Sequence, residues 1–201
     1  MTFPIHTLDT APEGARSGLE RAMARYGFLP NLVGVFAQAP ATLTALLDAT
    51  DTFDGPAMTL SPAECQVVLL AVSVRNRCEY CTAAHSMLAT MAGVDRSTVD
   101  DLQQGHPLAD GRLNALRHVA EALVDKRGWL DEVDLDRFAA AGFGQPQMLE
   151  VILGVSLKTL TNYANHVARP AVNAEFAAFI PNWRVAATTA VDRVAEIGVS
   201  R

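Results

Sequence analysis

Apolar residues recur along this chain every three to four positions, and no segment keeps the strict alternation of a half-buried strand. This period is typical of amphipathic helices, and glycine and proline separate one such segment from the next. The strongest start signal is a capping box formed by Ser61 and Glu64, with Pro62 at the first helical position. The pattern therefore predicts an all-α protein. Its predicted helices cover residues 12–27, 31–38, 40–53, 61–74, 78–92, 95–104, 110–127, 131–142 and 145–168.

A break between two helices is predicted at residues 75–77, where Arg-Asn-Arg interrupts a long apolar run. The next helix then opens near Cys78 and ends before Gly93, because glycine is the usual residue just beyond a helix C-terminus. Both Cys78 and Cys81 are therefore predicted to lie in the first turn of a helix.

A faint internal repeat supports a bundle of two pseudo-repeated helical units. The match is short, and aliphatic helices also resemble one another by chance, so the repeat is supporting evidence only. The positions Val68, Leu70, Val72, Ser73 and Tyr80 recur, at one constant offset, as Val151, Leu153, Val155, Ser156 and Tyr163.

Length and composition favour one helical domain with a sizeable core. The chain has 201 residues, of which 50% are hydrophobic but only 6% aromatic, so aliphatic packing dominates and helices are favoured over a β-sandwich. We expect a single all-α domain over residues 1–201. Residues 181–201 carry no clear pattern and form a poorly specified C-terminal tail.

Charge and cysteine content exclude several classes of protein. The net charge is −6, and the sequence has no run of basic residues that could follow a phosphate backbone. Both features argue against a nucleic-acid partner. The first ten residues lack a basic region followed by an apolar run, and the apolar stretch VVLLAV is too short to span a bilayer. We therefore expect a soluble cytoplasmic protein with no membrane partner. Three cysteines are too few for a secreted disulfide scaffold.

The segment CEYCTAAH, residues 78–85, brings Cys78, Cys81 and His85 onto one helix face, because residues three and four apart share a side. A free cysteine, with a pKa near ~8.5, is mostly protonated in the cytosol, and the helix N-terminus, the imidazole and the second thiol would all favour ionisation. Since His85 lies one turn beyond Cys81, the spacing predicts His85 as general base, Cys81 as the attacking thiol and Cys78 as the resolving thiol. Cys81 would become a sulfenic acid on peroxide attack, and an external dithiol would reduce the resulting disulfide.

Three alternatives stay open at this point. Cys78 is the reactive thiol if the pair behaves as in thioredoxin-type proteins, although no βαβ pattern surrounds it. Zinc binding by the same three side chains is the second, although no second pair of ligands follows at the usual spacing. In the third, the thiols pack as small apolar side chains and a backbone carbonyl satisfies His85.

The other polar residues fit structural roles better. Cys65, beside the capping box, is expected to be a core or interface thiol. His6, His106 and His118 lie in a terminus, in a turn and on an amphipathic helix, and none is assigned a role. The polar segment 162–166, which ends the longest helix, is expected to cap carbonyls rather than line a cleft.

The segments GFLPNLVGVFAQAPATL, LSPAECQVVLLAVSVRNRCEYCTAAH and TLTNYANHVA together resemble the carboxymuconolactone decarboxylase superfamily, in its alkylhydroperoxidase D-like branch. The resemblance covers most of a family-like core over residues 26–168. It implies an all-α fold of helical repeats that assembles as a dimer, trimer or hexamer. It also implies hydroperoxide reduction, with Cys81 as the peroxidatic thiol, Cys78 as the resolving thiol and His85 in a proton relay. The decarboxylase branch lacks the cysteine pair, which argues against lactone chemistry.

Two positions depart from the family pattern. The relay glutamate expected twelve residues before the first cysteine is Gln66 here, and an amide cannot accept a proton as a carboxylate does. Glu64 would point to another side of the helix, where the capping box uses it. Tyr80 stands where the family often has a histidine; it can donate a hydrogen bond but is a poor base near neutrality. Gln66, Glu64 and Tyr80 are therefore expected to support the site at most.

The sequence thus predicts a thiol-dependent hydroperoxide reductase, an antioxidant enzyme with no cofactor and no metal. Its partners are a small hydroperoxide substrate and an external dithiol reductant. The alternatives are a non-enzymatic helical module that binds a ligand or partner, and a zinc site at the same residues. Mean hydropathy of +0.15 further predicts a homo-oligomer with helix-on-helix interfaces.

Overall fold

The computed structural model describes residues 1–183 and contains helices but no strand over that range. It confirms the predicted all-α fold. Residues 184–201 of the predicted tail lie outside the described residues. The helices are α1 (Arg16–Tyr26), α2 (Asn31–Phe36), α3 (Pro40–Phe53), α4 (Pro62–Arg75), α5 (Glu79–Met91), α6 (Arg96–Gln104), α7 (Gly111–Asp125), α8 (Glu132–Ala140) and α9 (Gln145–Ala168), followed by a 3₁₀ helix (Ala174–Phe179).

The helix α4 lies at the centre of the bundle and packs against α5, α7 and α9. Val67, Val68, Leu70 and Val72 of α4 have no exposed surface. A helix that is apolar on every side is stable only inside the protein, where neighbouring helices cover all of its faces. Helices α5 and α9, which carry the site, are therefore both positioned against α4.

The start of α4 confirms the predicted capping box. The Ser61 hydroxyl accepts a hydrogen bond from the backbone N–H of Glu64 at 3.3 Å, and the Glu64 carboxylate accepts one from the backbone N–H of Ser61 at 2.8 Å. Glu64 also accepts a 2.6 Å hydrogen bond from the Arg112 guanidinium on α7. Both carboxylate oxygens are therefore engaged in holding α4 in place.

A glycine sets how closely α9 approaches the centre. A Cβ atom at Gly154 would lie 2.7 Å from Cζ of Phe53 and 3.0 Å from Cγ1 of Val68. Only glycine leaves room for this packing, since real Cβ atoms do not come so close to other carbon atoms. Positions 158, 161, 162 and 165 follow on the same side of α9 at helical spacing. The close approach at Gly154 thus fixes where those side chains enter the bundle.

Two features of the fold differ from the sequence-based expectation. The first helix begins at Arg16 instead of residue 12, because Gly14 has a φ of +84°, which an α-helix does not accommodate. The suggested repeat is not a repeat of local structure. Residues 68–80 cross from α4 into α5, whereas residues 151–163 lie inside the single uninterrupted helix α9.

Membrane crossing finds no support in the described helices. None of those within residues 1–183 has both the length and the apolar character needed to span a bilayer. The single-domain assignment over residues 1–201 remains a prediction.

Candidate active site

The backbone places the two cysteines where the sequence predicts. Arg77 adopts a left-handed conformation with φ of 52°, and the Cys78 amide then donates to the carbonyl of Ser73 at 2.9 Å. This turn ends α4 and makes Cys78 the N-cap residue of α5, with Cys81 in the first turn. The partial positive charge of a helix N-terminus stabilises an anion at this position.

Cys81, not Cys78, faces an internal cavity. Both sulfurs belong to free thiols, and the exposed fractions of the residues are 1% for Cys78 and 2% for Cys81. The cavity has a volume of about 110 Å³, and Cys81 is part of its lining, whereas Cys78 is not. A small molecule inside the cavity would therefore meet the Cys81 sulfur first.

Apolar side chains form most of this cavity. Leu32 and Val33 of α2, Leu46 and Phe53 of α3 and Leu157 of α9 contribute to its lining. Polar groups line it as well, among them Cys81, His85, Lys158 and Asp54. The cavity therefore combines a mostly apolar lining with a thiol and a few charged groups, as small-molecule sites commonly do.

Both ring nitrogens of His85 are engaged by residues from other helices. The Nδ1 atom lies 2.9 Å from Oε1 of Gln66, and the Nε2 atom lies 2.5 Å from Nζ of Lys158. An ammonium group can only donate, so Nε2 accepts and the proton of the neutral ring sits on Nδ1, which donates to Gln66. Burial, together with the positive charge of Lys158, holds the pKa of His85 well below its usual range.

The contacts of His85 in the described structure are with Gln66 and Lys158, and its role as general base for Cys81 stays a prediction. Neither imidazole nitrogen has a free lone pair to take the thiol proton, since one carries hydrogen and the other accepts from Lys158. Cys81 and His85 of α5 line the same cavity, and Cys78 is the N-cap residue of that helix. Lys158 of α9 lines this cavity as well.

Lys158 is the residue that sequence reasoning missed. Its side chain is buried, with 7% of the residue exposed, and it enters the site from α9. One signal was available, because Lys158 is the only acidic or cationic residue between positions 151 and 168, apart from His166. A single lysine on the buried face of an apolar helix is rare without a partner.

The surroundings of Cys81 favour its thiolate. Its pKa is lowered to about 6, first by a hydrogen bond from the Cys78 thiol and then, against the effect of burial, by the charge of Lys158 and the side chains of Asn162 and Thr161. The same hydrogen bond, with burial, raises the pKa of Cys78. The pair thus holds one proton, on Cys78, and one negative charge, on Cys81.

Two asparagines of α9 contact the cysteine pair, which corrects the capping role expected for segment 162–166. The Nδ2 atom of Asn165 donates to the Cys78 sulfur at 3.1 Å. Asn162 accepts a 2.9 Å hydrogen bond from Asn76 through its Oδ1 atom, while its Nδ2 atom is buried with no conventional partner and stabilises the Cys81 thiolate. Tyr163 and His166 of the same segment are exposed.

The three supporting residues have different positions. Gln66 fixes the Nδ1–H tautomer of His85. Glu64 is committed to the capping box and to Arg112, as its predicted capping role requires. The Tyr80 hydroxyl donates to Oδ1 of Asn173 at 2.6 Å and accepts from the amide of Leu32 at 3.3 Å, so it anchors α2 and the segment after α9.

Neither Cys65 nor a metal cluster adds to the site. Cys65 is a buried thiol that donates weakly to the Phe53 carbonyl, and burial raises its pKa to about 12, which agrees with the predicted core thiol. Within residues 1–183, no group of three or more histidine, cysteine or acidic residues has an arrangement that could hold a metal ion. The zinc alternative therefore gains no support from the described part of the chain.

Comparison with known proteins gives a partial match to one family model and a shared fold. A family model for carboxymuconolactone decarboxylases matches residues 37–125. Comparison with curated proteins finds no significant match.

Solved structures with the same fold come from different proteins. An alkylhydroperoxidase AhpD core, an uncharacterised peroxidase-related protein of Ralstonia eutropha JMP134, is 20% identical with a TM-score of 0.77, over 87% of this chain and 93% of that one. A peroxidase-related protein of Silicibacter sp. TM1040 is 20% identical with a TM-score of 0.75, over 88% and 92%. A variant of the debrominase Bmp8 in complex with 2,3,4-tribromopyrrole is 17% identical with a TM-score of 0.73, over 89% and 95%.

Proposed function

We propose that this chain is a thiol-dependent hydroperoxide reductase of the carboxymuconolactone decarboxylase superfamily, since a model of that family matches residues 37–125 and an alkylhydroperoxidase AhpD core shares its fold. The observation that carries the proposal is that Cys81, the sulfur favoured as thiolate, lines an apolar cavity in which Lys158 is the only cationic group among residues 1–183. A small alkyl hydroperoxide fits such a site by chemistry, since its carbon part is apolar and its O–O bond is attacked by a thiolate.

The reaction has two steps at the enzyme. The Cys81 thiolate attacks one peroxide oxygen and the O–O bond breaks, which oxidises the sulfur to a sulfenic acid and releases an alkoxide that takes up a proton to become an alcohol. The Cys78 thiol then condenses with the sulfenic acid, which forms the Cys78–Cys81 disulfide and releases water. An external dithiol reduces the disulfide by thiol–disulfide exchange and is itself oxidised.

The order of the cysteines follows from their positions. Cys81 lines the cavity and carries the negative charge, whereas Cys78 sits behind it, at the N-cap of α5, with its sulfur held by Asn165. The attacking thiol must meet the substrate, and the resolving thiol must only meet its neighbour. This arrangement supports Cys81 as attacking thiol and Cys78 as resolving thiol.

Stopped-flow consumption of cumene hydroperoxide by the reduced protein tests the proposal. Cys81→Ser should abolish consumption. Cys78→Ser should complete one turnover at the wild-type rate but no second turnover, because no resolving thiol is left to form the disulfide. Cys65→Ser, which removes a thiol outside the cavity, serves as the control and should keep the wild-type rate. A Cys81→Ser variant that retains the wild-type rate contradicts the mechanism.

A second candidate is reductive removal of a halogen from a small apolar compound. The debrominase Bmp8 shares this fold, and the same apolar cavity ends in a thiolate beside an ammonium group. The thiolate would take the halogen as a positive centre, the carbanion would take a proton, and Cys78 would displace halide to close the disulfide. Bromide release from 2,3,4-tribromopyrrole, with no consumption of cumene hydroperoxide, is the result that favours this candidate.

The non-enzymatic alternative gives a different outcome in the same experiments. A ligand-binding module would keep the cysteine pair reduced in excess peroxide, while a small apolar ligand raises its melting temperature.

A further inference from the structure

The ammonium group of Lys158 has no carboxylate partner in the described part of the chain. No acidic side chain of residues 1–183 lies within salt-bridge distance of it, and Asp54, the acidic residue that lines the same cavity, is paired with Arg25. A buried charge with no counter-charge is costly. The charge of Lys158 acts on the Cys81 thiolate and also on the Asp54 carboxylate, and of these two groups only Asp54 has a cationic partner of its own, Arg25.

His85 is placed to direct this ammonium and not to take a proton itself. Its Nδ1–H is committed to Gln66, and its Nε2 lone pair accepts one hydrogen from Nζ of Lys158 at 2.5 Å. An ammonium group has three hydrogens, so two remain for the cavity side. Two hydrogen bonds thus connect the Gln66 amide through His85 to Lys158, a charged proton donor that lines the same cavity as the Cys81 sulfur.

From this geometry we infer that Lys158 is the proton carrier of the reaction, in the place where the family pattern has a glutamate–histidine relay. The inference rests on the proposed reduction of a hydroperoxide at Cys81. Gln66 and His85 are then positioning residues, which hold one tautomer and one orientation of the lysine side chain.

The proton balance closes over one cycle. When the disulfide has been reduced, the neutral amine of Lys158 takes the proton of the Cys81 thiol, which forms the thiolate–ammonium pair. The thiolate attacks the hydroperoxide, and the ammonium gives its proton to the departing alkoxide, which leaves as an alcohol. Cys78 then supplies the hydrogen of the water released with the disulfide, and Lys158 regains its proton from the Cys81 thiol that the next reduction forms.

The titratable groups around this pair come from several helices and have to be considered in any pH experiment. They are Cys78, Tyr80 and His85 on α5, Tyr26 at the end of α1, and Asp54 with its partner Arg25 beside the cavity.

The chain offers a matched control, because Lys126 and Lys158 are its only lysines. Lys126 lies outside the site and pairs with Asp131 and Asp134. Lys158→Arg keeps a positive charge, but a guanidinium does not give up its proton. Lys158→Met removes both. Lys126→Arg should change neither measurement described below.

Two readouts separate the charge of Lys158 from its proton. The first is the ultraviolet absorbance of the Cys81 thiolate against pH, taken as the difference from Cys81→Ser. The second is the rate of cumene hydroperoxide consumption. Lys158→Arg should keep the thiolate at neutral pH but lower the rate by about 100-fold or more, the usual contribution of a general acid. Lys158→Met should move thiolate formation to higher pH and lower the rate as well.

The outcomes test two claims separately: that Lys158 carries the proton, and that the protein reduces hydroperoxides. A wild-type rate in Lys158→Arg, or an unchanged thiolate titration in Lys158→Met, overturns the inference. If the wild-type protein and Lys126→Arg do not consume hydroperoxide, the proposed function fails. A shifted thiolate titration in Lys158→Met would then still support the thiolate–ammonium pair. Circular dichroism of both Lys158 variants checks that they fold, and the Arg variant keeps the test valid if the Met variant does not.

Discussion

The Nζ atom of Lys158 lies 2.5 Å from Nε2 of His85, although the two residues are 73 positions apart in the chain. This contact joins α9 to α5 and fixes both the tautomer of the imidazole and the direction of the ammonium. It also occupies the Nε2 atom of the imidazole. The chemistry of the cysteine pair therefore depends on a residue that lies far outside the CEYCTAAH segment.

The pH dependence of the first step should follow Cys81. A hydrogen bond from the Cys78 thiol, with the charge of Lys158, lowers the pKa of Cys81 to about 6. The thiolate is the reactive form, so the rate constant for cumene hydroperoxide should rise with pH, reach half of its maximum near pH 6 and stay constant above that. Stopped-flow kinetics over the neutral range measure this. A midpoint near ~8.5, the value of a free cysteine, would contradict the assigned environment.

The two asparagines of α9 should act on different steps. Asn165 donates to Cys78 and Asn162 stabilises the Cys81 thiolate. Asn162→Leu should therefore slow the attack on the hydroperoxide, and Asn165→Leu should slow disulfide formation so that the sulfenic acid lasts longer. A lost hydrogen bond to sulfur of about 1.4 kcal/mol corresponds to roughly tenfold in each case.

Trapping of the sulfenic acid with dimedone distinguishes these two variants, and each serves as the control for the other. Equal effects of both variants on both steps would show that the asparagines act only through general packing.

The close approach of α9 should be sensitive to one methyl group. Gly154→Ala places a Cβ atom 2.7 Å from Cζ of Phe53, and overpacking of this kind costs about 1–3 kcal/mol of unfolding free energy. Urea denaturation measures the loss. Gly111→Ala, at the first position of α7 with no atom within 4 Å of the added Cβ, is the control and should stay within about 0.5 kcal/mol of the wild type. Equal stability of both variants would contradict the packing argument.

The predicted homo-oligomer has a candidate contact surface on the outer face of α9. Apolar side chains at helical spacing are exposed there, which is unusual for a helix face with no partner. Leu160→Glu should therefore lower the molar mass in solution, and Val133→Glu, an exposed position of α8, should not. Light scattering at micromolar concentration measures both, and a monomeric wild type rules the prediction out. The exposed residues of this face are Leu149, Ile152, Leu160, Tyr163 and Val167.

Local signals in the sequence predicted what local geometry decides. The capping box at Ser61 and the break before Cys78 involve only a few neighbouring residues, and the structure confirms both. The spacing of Cys81 and His85 likewise agrees with the cavity that both residues line, whereas Cys78 lies outside that lining. Gly14 is a local signal that was passed over, because its positive φ ends the helical pattern before Arg16.

Contacts between distant helices could not be predicted in this way. A one-turn spacing says that His85 can reach Cys81, but not that Gln66 and Lys158 will occupy its two nitrogens. The side chain of Asn165 looks like a cap in sequence and becomes a ligand of a sulfur atom only because α9 packs beside α5. The packing that brings these groups together depends on the contact of Gly154 with Phe53 and Val68. The sequence pattern does not show which residues Gly154 packs against.

The most direct test of the central claim is the mass of the protein after reaction with one equivalent of cumene hydroperoxide. The account predicts that the reduced wild type becomes lighter by two hydrogen atoms, with the Cys78–Cys81 disulfide found by peptide mapping, and that Cys78→Ser becomes heavier by one oxygen atom at Cys81. An unchanged mass in both proteins, or oxygen found on Cys78 or Cys65 instead, would contradict it.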